Sequence, residues 1–295
     1  MRQEPVFRNK LLPYLLVLPQ VILAIIWFIW PSVEAFYQSF YRSDPLGIRR
    51  IFVGFEQYVR LFSDVSFLST LRVTVIFSAV VTIFSMGIGL FLAIMAERQI
   101  CGKWFFRTLL IIPYGIAPAI AAVLWRFLLA PGIGMVARFV THNLKLYWDY
   151  RLNETQAMLF VIIVAIWARI SYNFIFYSAA LQGIPKSVVE AAYIDGGSRW
   201  KTFWFIIFPL LSPTSFFLLV VNSVYSLFET FGIIDTLTHG GPSGATEILV
   251  YRIYRDGMVN LNVNKAAAQA VLLLIFSVIL SVLQFKVIER KVHYA

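Results

Sequence analysis

Residues 190–197 read Glu-Ala-Ala-Tyr-Ile-Asp-Gly-Gly, and residues 198–213 continue Ser-Arg-Trp-Lys-Thr-Phe-Trp-Phe-Ile-Ile-Phe-Pro-Leu-Leu-Ser-Pro. The stretch lies between two long apolar segments, but its acidic residue, paired alanines and paired glycines are not the composition of a membrane span. Ser187 and Glu190 have the Ser-x-x-Glu spacing of a capping box, which begins a helix, and the glycines supply the left-handed residue that ends one. We therefore expect a helix over about residues 188–195, roughly 12 Å long. It either meets a soluble partner or is a capped loop helix without one.

The rest of the chain is dominated by apolar runs that are long enough to cross a bilayer. Apolar residues make up 60% of the 295 residues, charged residues only 14%, and the mean hydropathy is +0.77, whereas a soluble domain carries about 25% charged residues. Runs of the about 18–20 residues that a membrane helix needs recur along the chain. The sequence therefore predicts an all-α polytopic membrane protein with six transmembrane helices in a single domain, residues 1–295. The expected spans are about 11–37, 71–97, 104–130, 155–183, 202–230 and 266–287.

The positions of Lys and Arg predict the orientation of these spans. With both termini in the cytoplasm, the short inside segments contain twelve basic residues, and the much longer outside segments contain ten. The sequence thus predicts a multi-pass protein of a bacterial inner membrane, with residues 190–197 on the side that contains ATP. The net charge of +10 has the same origin, because the basic residues flank spans and do not form one soluble face. Nucleic acid is therefore not an expected partner.

Residues 190–209 also match a family signature, in which Glu-Ala-Ala and a glycine are followed by Ile-x-x-Pro. The matching residues are Glu190, Ala191, Ala192, Gly196, Ile206 and Pro209. Phe208 stands where the pattern usually has leucine. The stretch resembles the cytoplasmic loop of binding-protein-dependent ABC importer permeases, whose fold is the type I importer permease fold. The resemblance implies that the loop forms a coupling helix that docks into a groove of an ATPase subunit. The contact residues that it implies are Glu190, Ala191, Ala192, Asp195 and Gly196.

Longer stretches resemble one branch of that family, the permeases of sn-glycerol-3-phosphate importers, within the carbohydrate-uptake group. They are residues 8–20, 113–125, 170–174 and 219–225. The segment 237–246 resembles the Gly-Gly-Pro loop before the last span of sugar-type ABC importer permeases. The resemblance implies a subunit that moves sn-glycerol-3-phosphate or glycerophosphodiesters into the cytoplasm, driven by ATP hydrolysis in a separate chain. A sugar or disaccharide permease of the same family is the alternative. The implied partners are a second permease subunit, an ATPase dimer, a periplasmic substrate-binding protein on the outward loops, and membrane lipid.

Polar residues inside the expected spans are candidates for a substrate path. Asn222, Tyr225 and Glu229 share one face of span five, and Arg169 and Asn173 lie four residues apart in span four. Such groups can bind hydroxyls, and a cation can offset a phosphate. The two asparagines could instead tie helices together, and Glu229 could reach the interface. One polar stripe cannot enclose a path, so a second permease chain is implied again.

Two other patterns concern the second and third spans. Small residues recur every third or fourth position in span two, which predicts a close-packing face between helices, or else a polar path. They are Thr74, Ser78, Thr82, Ser85 and Gly89. Span three contains Pro113, Gly115 and Pro118, which predict either a static kink or a segment that bends during transport.

The sequence contains no recognisable catalytic motif. The three histidines, His142, His239 and His293, have no metal-ligand spacing, and no Gly-x-Ser-x-Gly motif is present. We expect no catalytic residue, no metal and no cofactor in this chain, with ATP and Mg²⁺ bound by the partner ATPase. Cys101 is the single cysteine, so no disulfide can form within one chain. A membrane enzyme and a secondary transporter remain as other classes, although the internal repeats typical of secondary transporters are not evident.

Overall fold

A computed structural model describes residues 11–43, 50–97 and 102–288, and these residues are predominantly helical. This confirms the all-α prediction, with one addition. Strand β1 (Tyr41–Ser43) pairs antiparallel with β2 (Arg50–Phe52), so that Tyr41 lies opposite Phe52. Several residues used in the sequence predictions lie outside the described ranges. They are Arg2, Arg8, Lys10, Arg98, Cys101, Arg290, Lys291 and His293.

Contacts divide the chain into two compact units. The first comprises residues up to Asp64 together with Ile253–Leu272, and the second comprises Val65–Arg252 and the residues from Leu273 onward. The expectation of one domain over the whole chain stays a prediction. The helices outside the broken spans are α1 (Leu12–Gln38), α2 (Glu56–Ser63), α3 (Val65–Glu97), α6 (Met135–Asn143), α7 (Glu154–Gly183), α8 (Lys186–Ile194), α11 (Phe231–Leu237), α12 (Leu249–Tyr254) and α13 (Val263–Lys286).

Helix α1 is apolar on all sides, and none of its strongly apolar window is buried within the chain. The helix continues through Pro31. A π-helical turn, Ile25–Ile29, ends two residues before it. Proline removes one N–H from the hydrogen-bond ladder, and a π-helical turn is one way in which a helix accommodates such a defect.

A buried carboxylate lies in the first unit, just before the last helix. Asp256 is 4% exposed, and its oxygens accept hydrogen bonds from Gln269 (2.6 Å) and Asn260 (2.9 Å) and lie 3.1 Å from Lys265 Nζ. Burial opposes ionisation of this group. The hydrogen bonds and the charge of Lys265 outweigh the burial, so the pKa of Asp256 falls below its ordinary value.

The core of the second unit lies where α3 and α7 pack along each other. Phe77, Val81, Phe160 and Val164 are completely buried in one apolar cluster. The small-residue face of span two is buried too, which confirms the predicted packing face. Its members are Thr74, Ser78, Thr82, Ser85 and Gly89.

Hydrogen bonds and a close helix contact hold this face. Thr74 Oγ1 accepts a hydrogen bond from the Leu249 amide at 2.9 Å, and Ser78 shares one with Ser226. Gly89 lies so close to α7 that a Cβ atom there would be 2.5 Å from the Cβ of Asn173. The face therefore serves helix packing, as small residues commonly do in membranes.

Two of the apolar segments are broken. The segment Trp104–Gly115, which overlaps α4 (Lys103–Ile111), meets α5 (Pro118–Leu128) at 106°. Helix α9 (Arg199–Leu210) meets α10 (Ser212–Glu229) at 66°. The described residues contain four continuous helices that could cross a membrane, so the expected six is reached if each broken pair is one span. The first break coincides with the predicted Pro-Gly-Pro segment. The second, between two prolines, was not expected.

Candidate functional site

The helix expected in the loop between spans four and five is α8, but its beginning differs from the prediction. It begins at Lys186, directly after Pro185, and no side chain caps it. The capping-box prediction was therefore wrong. Pro185 has an extended backbone, so the helix begins immediately behind it. Ser187 consequently lies inside the first turn and not at the cap position.

The end of α8 is the glycine turn that the sequence predicts. Gly196 has φ +83°, its amide donates to the Tyr193 carbonyl at 3.1 Å, and the Gly197 amide donates to the Ala192 carbonyl at 2.9 Å. This pair of bonds is a Schellman motif. A Cβ on Gly197 would lie 2.6 Å from the Ala192 oxygen, whereas nothing lies within 4 Å of one on Gly196. The first glycine is required for its backbone angle, and the second for close packing.

The five residues expected to contact an ATPase differ in exposure. Glu190, Ala191, Asp195 and Gly196 are exposed, whereas Ala192 is buried at 8% exposure against the loop. Their contact with a partner stays a prediction. Sequence reasoning missed Ile194, which is 85% exposed at the end of the helix.

One side of α8 borders a cavity of about 1150 Å³ within the second unit. Lys186, Glu190 and Arg199 line it together with Trp200 and Trp204. Tryptophans at such a position are typical of the interface between lipid and water. The lining contains both signs of charge, so it does not select an anion or a cation.

The polar residues of spans four and five meet in one buried cluster between α7 and α10. Arg169 Nε donates to Asn222 Oδ1 at 2.9 Å, and Asn222 Nδ2 donates to Asn173 Oδ1 at 2.7 Å. Asn173 Nδ2 donates to the Arg169 carbonyl at 3.1 Å. Both asparagines are completely buried, and Arg169 is 8% exposed. The cluster thus joins the two helices by side-chain hydrogen bonds.

Tyrosine rings enclose the guanidinium of Arg169. Its Cζ lies 3.9 Å from the ring centre of Tyr172 and 4.5 Å from that of Tyr225. The Tyr225 hydroxyl donates to the Ala165 carbonyl at 3.2 Å, which fixes that ring. Tyr172 also contacts Tyr114, on the irregular segment where span three breaks, with 6.0 Å between ring centres. Tyr172 was not among the predicted site residues, although its position three residues after Arg169 on a helix places both on one face.

Glu229 lies apart from this cluster. It is exposed at the end of α10, and it acts on Arg169 only electrostatically, since no ion pair forms between them among the described residues. Four of the five expected path residues are therefore together, and one is not. Whether they line a substrate path stays a prediction.

Arg126, at the end of span three, donates a hydrogen bond to the Thr236 carbonyl at 2.9 Å on an exposed surface.

Within residues 11–43, 50–97 and 102–288, no three His, Cys, Asp or Glu side chains are grouped in a way that could hold a metal ion. The candidate sites are therefore the loop with α8 and the Arg169 cluster.

Residues 7–294 match the protein family described as "Binding-protein-dependent transport system inner membrane component". The "sn-glycerol-3-phosphate transport system permease protein UgpA" of Rhizobium meliloti (strain 1021) is 51% identical over 292 residues, which cover 99% of each chain. The protein of that name from Escherichia coli (strain UTI89 / UPEC) is 46% identical over 291 residues, which cover 99% of this chain and 98% of its own.

Solved structures with a similar fold include a bacterial ABC transporter involved in the import of the acidic polysaccharide alginate. One of its chains matches with a TM-score of 0.81 at 22% identity, over 95% of both chains. The alginate transporter in complex with its alginate pentasaccharide-bound periplasmic protein matches with a TM-score of 0.78 at 24% identity, over 92% of both. At these identities the likeness establishes the fold alone.

Proposed function

Because this chain belongs to the family of binding-protein-dependent transport system inner membrane components, it is a translocation subunit, and we propose that its solute is sn-glycerol-3-phosphate or a glycerophosphodiester. The observation that carries this proposal is the identity of 46% and 51%, over nearly the whole chain, with permeases named for sn-glycerol-3-phosphate transport. ATP and Mg²⁺ bind in a separate ATPase subunit, whose hydrolysis of ATP drives the import.

The exposed side of α8 and its terminal turn is the proposed contact with that ATPase. Glu190, Asp195 and Gly196 are exposed, and the hydrogen-bonded glycine turn holds them in one geometry. A carboxylate such as Glu190 forms its strongest contacts with Arg or Lys of a partner. Ala192 does not belong to this exposed surface. Its small side chain and its carbonyl lie next to Gly197 and allow the turn to pack closely against the helix. A rigid projection of this kind can transmit a movement of the ATPase to the spans.

The proposed assembly has a second, related permease chain beside this one, two ATPase subunits on the cytoplasmic side, and a substrate-binding protein on the periplasmic side. Both termini lie in the cytoplasm, in agreement with the distribution of Lys and Arg. The apolar side chains of α1, none of which is buried within this chain, are available to lipid and to the second permease chain. Loops 42–66 and 233–265 are the proposed contact with the substrate-binding protein.

The test is the ATPase activity of the complete complex, reconstituted in lipid with its binding protein. We expect sn-glycerol-3-phosphate to stimulate ATP hydrolysis only when the binding protein is present, and a preparation without the binding protein is the matched control. Stimulation by maltose-like sugars and not by sn-glycerol-3-phosphate would overturn the proposed solute in favour of the sugar alternative. Activity of this chain alone, without a second permease chain, would contradict the proposed assembly.

A further inference from the structure

Arg169 is a buried cation that no carboxylate contacts in the described part of the chain. It lies near the middle of α7, within a span, and no carboxylate oxygen there is within 4 Å of its guanidinium. A charge at that depth is costly, and in membrane proteins such residues are normally paired or serve a substrate pathway. Glu229 acts on the guanidinium electrostatically without contacting it, so no anion among the described residues is in contact with this charge.

The guanidinium also has free hydrogen-bonding capacity. Its Nε–H donates to Asn222, but the N–H groups on its two Nη atoms have no acceptor among the described residues. Tyr172 and Tyr225 cover its faces, and Asn222 restricts its rotation. The edge of the guanidinium that carries the two Nη atoms is left without a hydrogen-bonding partner among the described residues. This planar fork matches the oxygens of a phosphate group and can bind two of them at once.

The surroundings of Arg169 are irregular on two sides. Tyr225 begins a π-helical turn, Tyr225–Glu229, and such turns are frequent at functional sites. Tyr172 contacts Tyr114 on the segment where span three breaks. Interrupted helices near the middle of the membrane are typical of the sites where transporters bind their solutes. The exposed carboxylate of Glu229 lies outside this enclosure, where it does not occupy the fork.

We propose that Arg169 binds the phosphate group of the solute during its passage, through the N–H groups of its two Nη atoms, and that this contact selects anionic over neutral solutes. The inference rests on the proposed function, since it takes a phosphate ester as the solute. Asn222 and the two tyrosines are positioning residues, which hold the plane of the guanidinium. The competing occupant of the fork is a carboxylate of the second permease chain.

The test uses the complete reconstituted complex with Arg169→Lys, Arg169→Gln and, as a matched control, Arg126→Gln. Uptake of labelled sn-glycerol-3-phosphate is measured together with ATPase activity without solute and the thermal stability of the assembled complex. We expect Arg169→Gln to lower uptake at least tenfold while assembly and stability are kept. Arg169→Lys should lose less, because it keeps the charge but not the fork. Arg126→Gln should retain the uptake of the wild type.

Two results would overturn the proposal. One is wild-type uptake by Arg169→Gln. The other is a loss of assembly or thermal stability in both Arg169 variants that matches their loss of uptake, which would assign the fork to a carboxylate of the second permease chain.

If Arg169→Gln fails to assemble while Arg169→Lys assembles, the proposal is tested with Asn222→Asp, which supplies an internal carboxylate next to the Arg169 Nε–H. Loss of uptake by an assembled Asn222→Asp complex supports phosphate binding by Arg169, and unchanged uptake contradicts it.

The wild-type complex separates this inference from the proposed function. The wild-type complex could import a different anion, with uptake of that anion at least tenfold lower in Arg169→Gln. The proposed phosphate-ester solute would then be wrong, whereas the selection of anions by Arg169 would be supported. If the wild-type complex imports only neutral sugars, both the proposed solute and the inference are wrong.

Discussion

Gly89→Ala should disturb the contact between α3 and α7 directly beside the Arg169 cluster. A Cβ at this position would lie 2.5 Å from the Cβ of Asn173 and 3.2 Å from the backbone nitrogen of Phe174. Carbon atoms in favourable contact are about 3.5–4.0 Å apart, so the helices must separate by about 1 Å at this point. Asn173 is hydrogen-bonded to Asn222 on another helix, so it cannot yield without disturbing that pair.

The expected cost is that of an overpacked core, about 1–3 kcal/mol, which lowers the ratio of folded to unfolded protein by roughly 5- to 140-fold at 1.4 kcal/mol per factor of ten. Gly87→Ala is the matched control. It changes the same residue type in the same helix, and nothing lies within 4 Å of the added Cβ. Because alanine favours helices over glycine by up to about 1 kcal/mol, the control should be neutral or slightly stabilising.

The assay is equilibrium unfolding of the purified protein in mixed micelles with increasing sodium dodecyl sulfate, accompanied by solute uptake in the reconstituted complex. Gly89→Ala should unfold at a lower detergent fraction than Gly87→Ala and should take up less solute, because Asn173 is displaced. Identical unfolding of the two variants would refute the close approach of α3 and α7 at Gly89.

Three further predictions concern the α8 turn and the buried carboxylate. Gly196→Val forces a β-branched residue to φ +83°, so we expect solute uptake to be lost while ATP hydrolysis continues. The control is Gly183→Ala, because nothing lies within 4 Å of a Cβ added at Gly183. Gly197→Ala should lower uptake through a clash with a backbone carbonyl, and unimpaired uptake at normal expression would speak against it. The pKa of Asp256 is lowered in the fold, so its contribution to stability is present above the ordinary value of 3.8 and is lost as the pH falls below it. Asp256→Asn should therefore destabilise the protein at neutral pH and converge with the wild type in acid, and a difference in melting temperature that is the same at pH 3 and pH 7 would contradict the role of the charge.

The features that the sequence predicted well are those with a local physical cause. Gly196 ends α8 because glycine alone adopts the left-handed conformation at little cost. The small-residue face of α3 follows from helix periodicity, since Thr74, Ser78 and Gly89 recur on one side. The beginning of α8 was wrong because two local signals compete there, and Pro185 prevailed over the Ser187 box.

Other features depend on packing that a single sequence does not display. The sequence shows prolines on both sides of residue 211, which can interrupt a helix. The 66° angle between α9 and α10, however, depends on what each helix packs against. The pairing of Asn173 with Asn222 could be anticipated as one of two hypotheses. The stacking of Tyr172 on Arg169 depends on the rotamers of both side chains. The same holds for the burial of Ala192, which the loop behind it determines.

The 106° break in span three restricts where the membrane can be sealed against leakage. A helix end leaves backbone carbonyls and amides without helical partners, and at this break the local bonds from the Ile116 amide to the Pro113 carbonyl and from the Ala121 amide to the Ala117 carbonyl satisfy only some of them. Hydrocarbon cannot satisfy the others, so they must meet protein or water at this depth. Where water reaches them, hydration extends into the bilayer even between transport cycles. The barrier to protons and small ions then has to be formed elsewhere, where apolar side chains pack together as Phe77, Val81 and Phe160 do in the buried core.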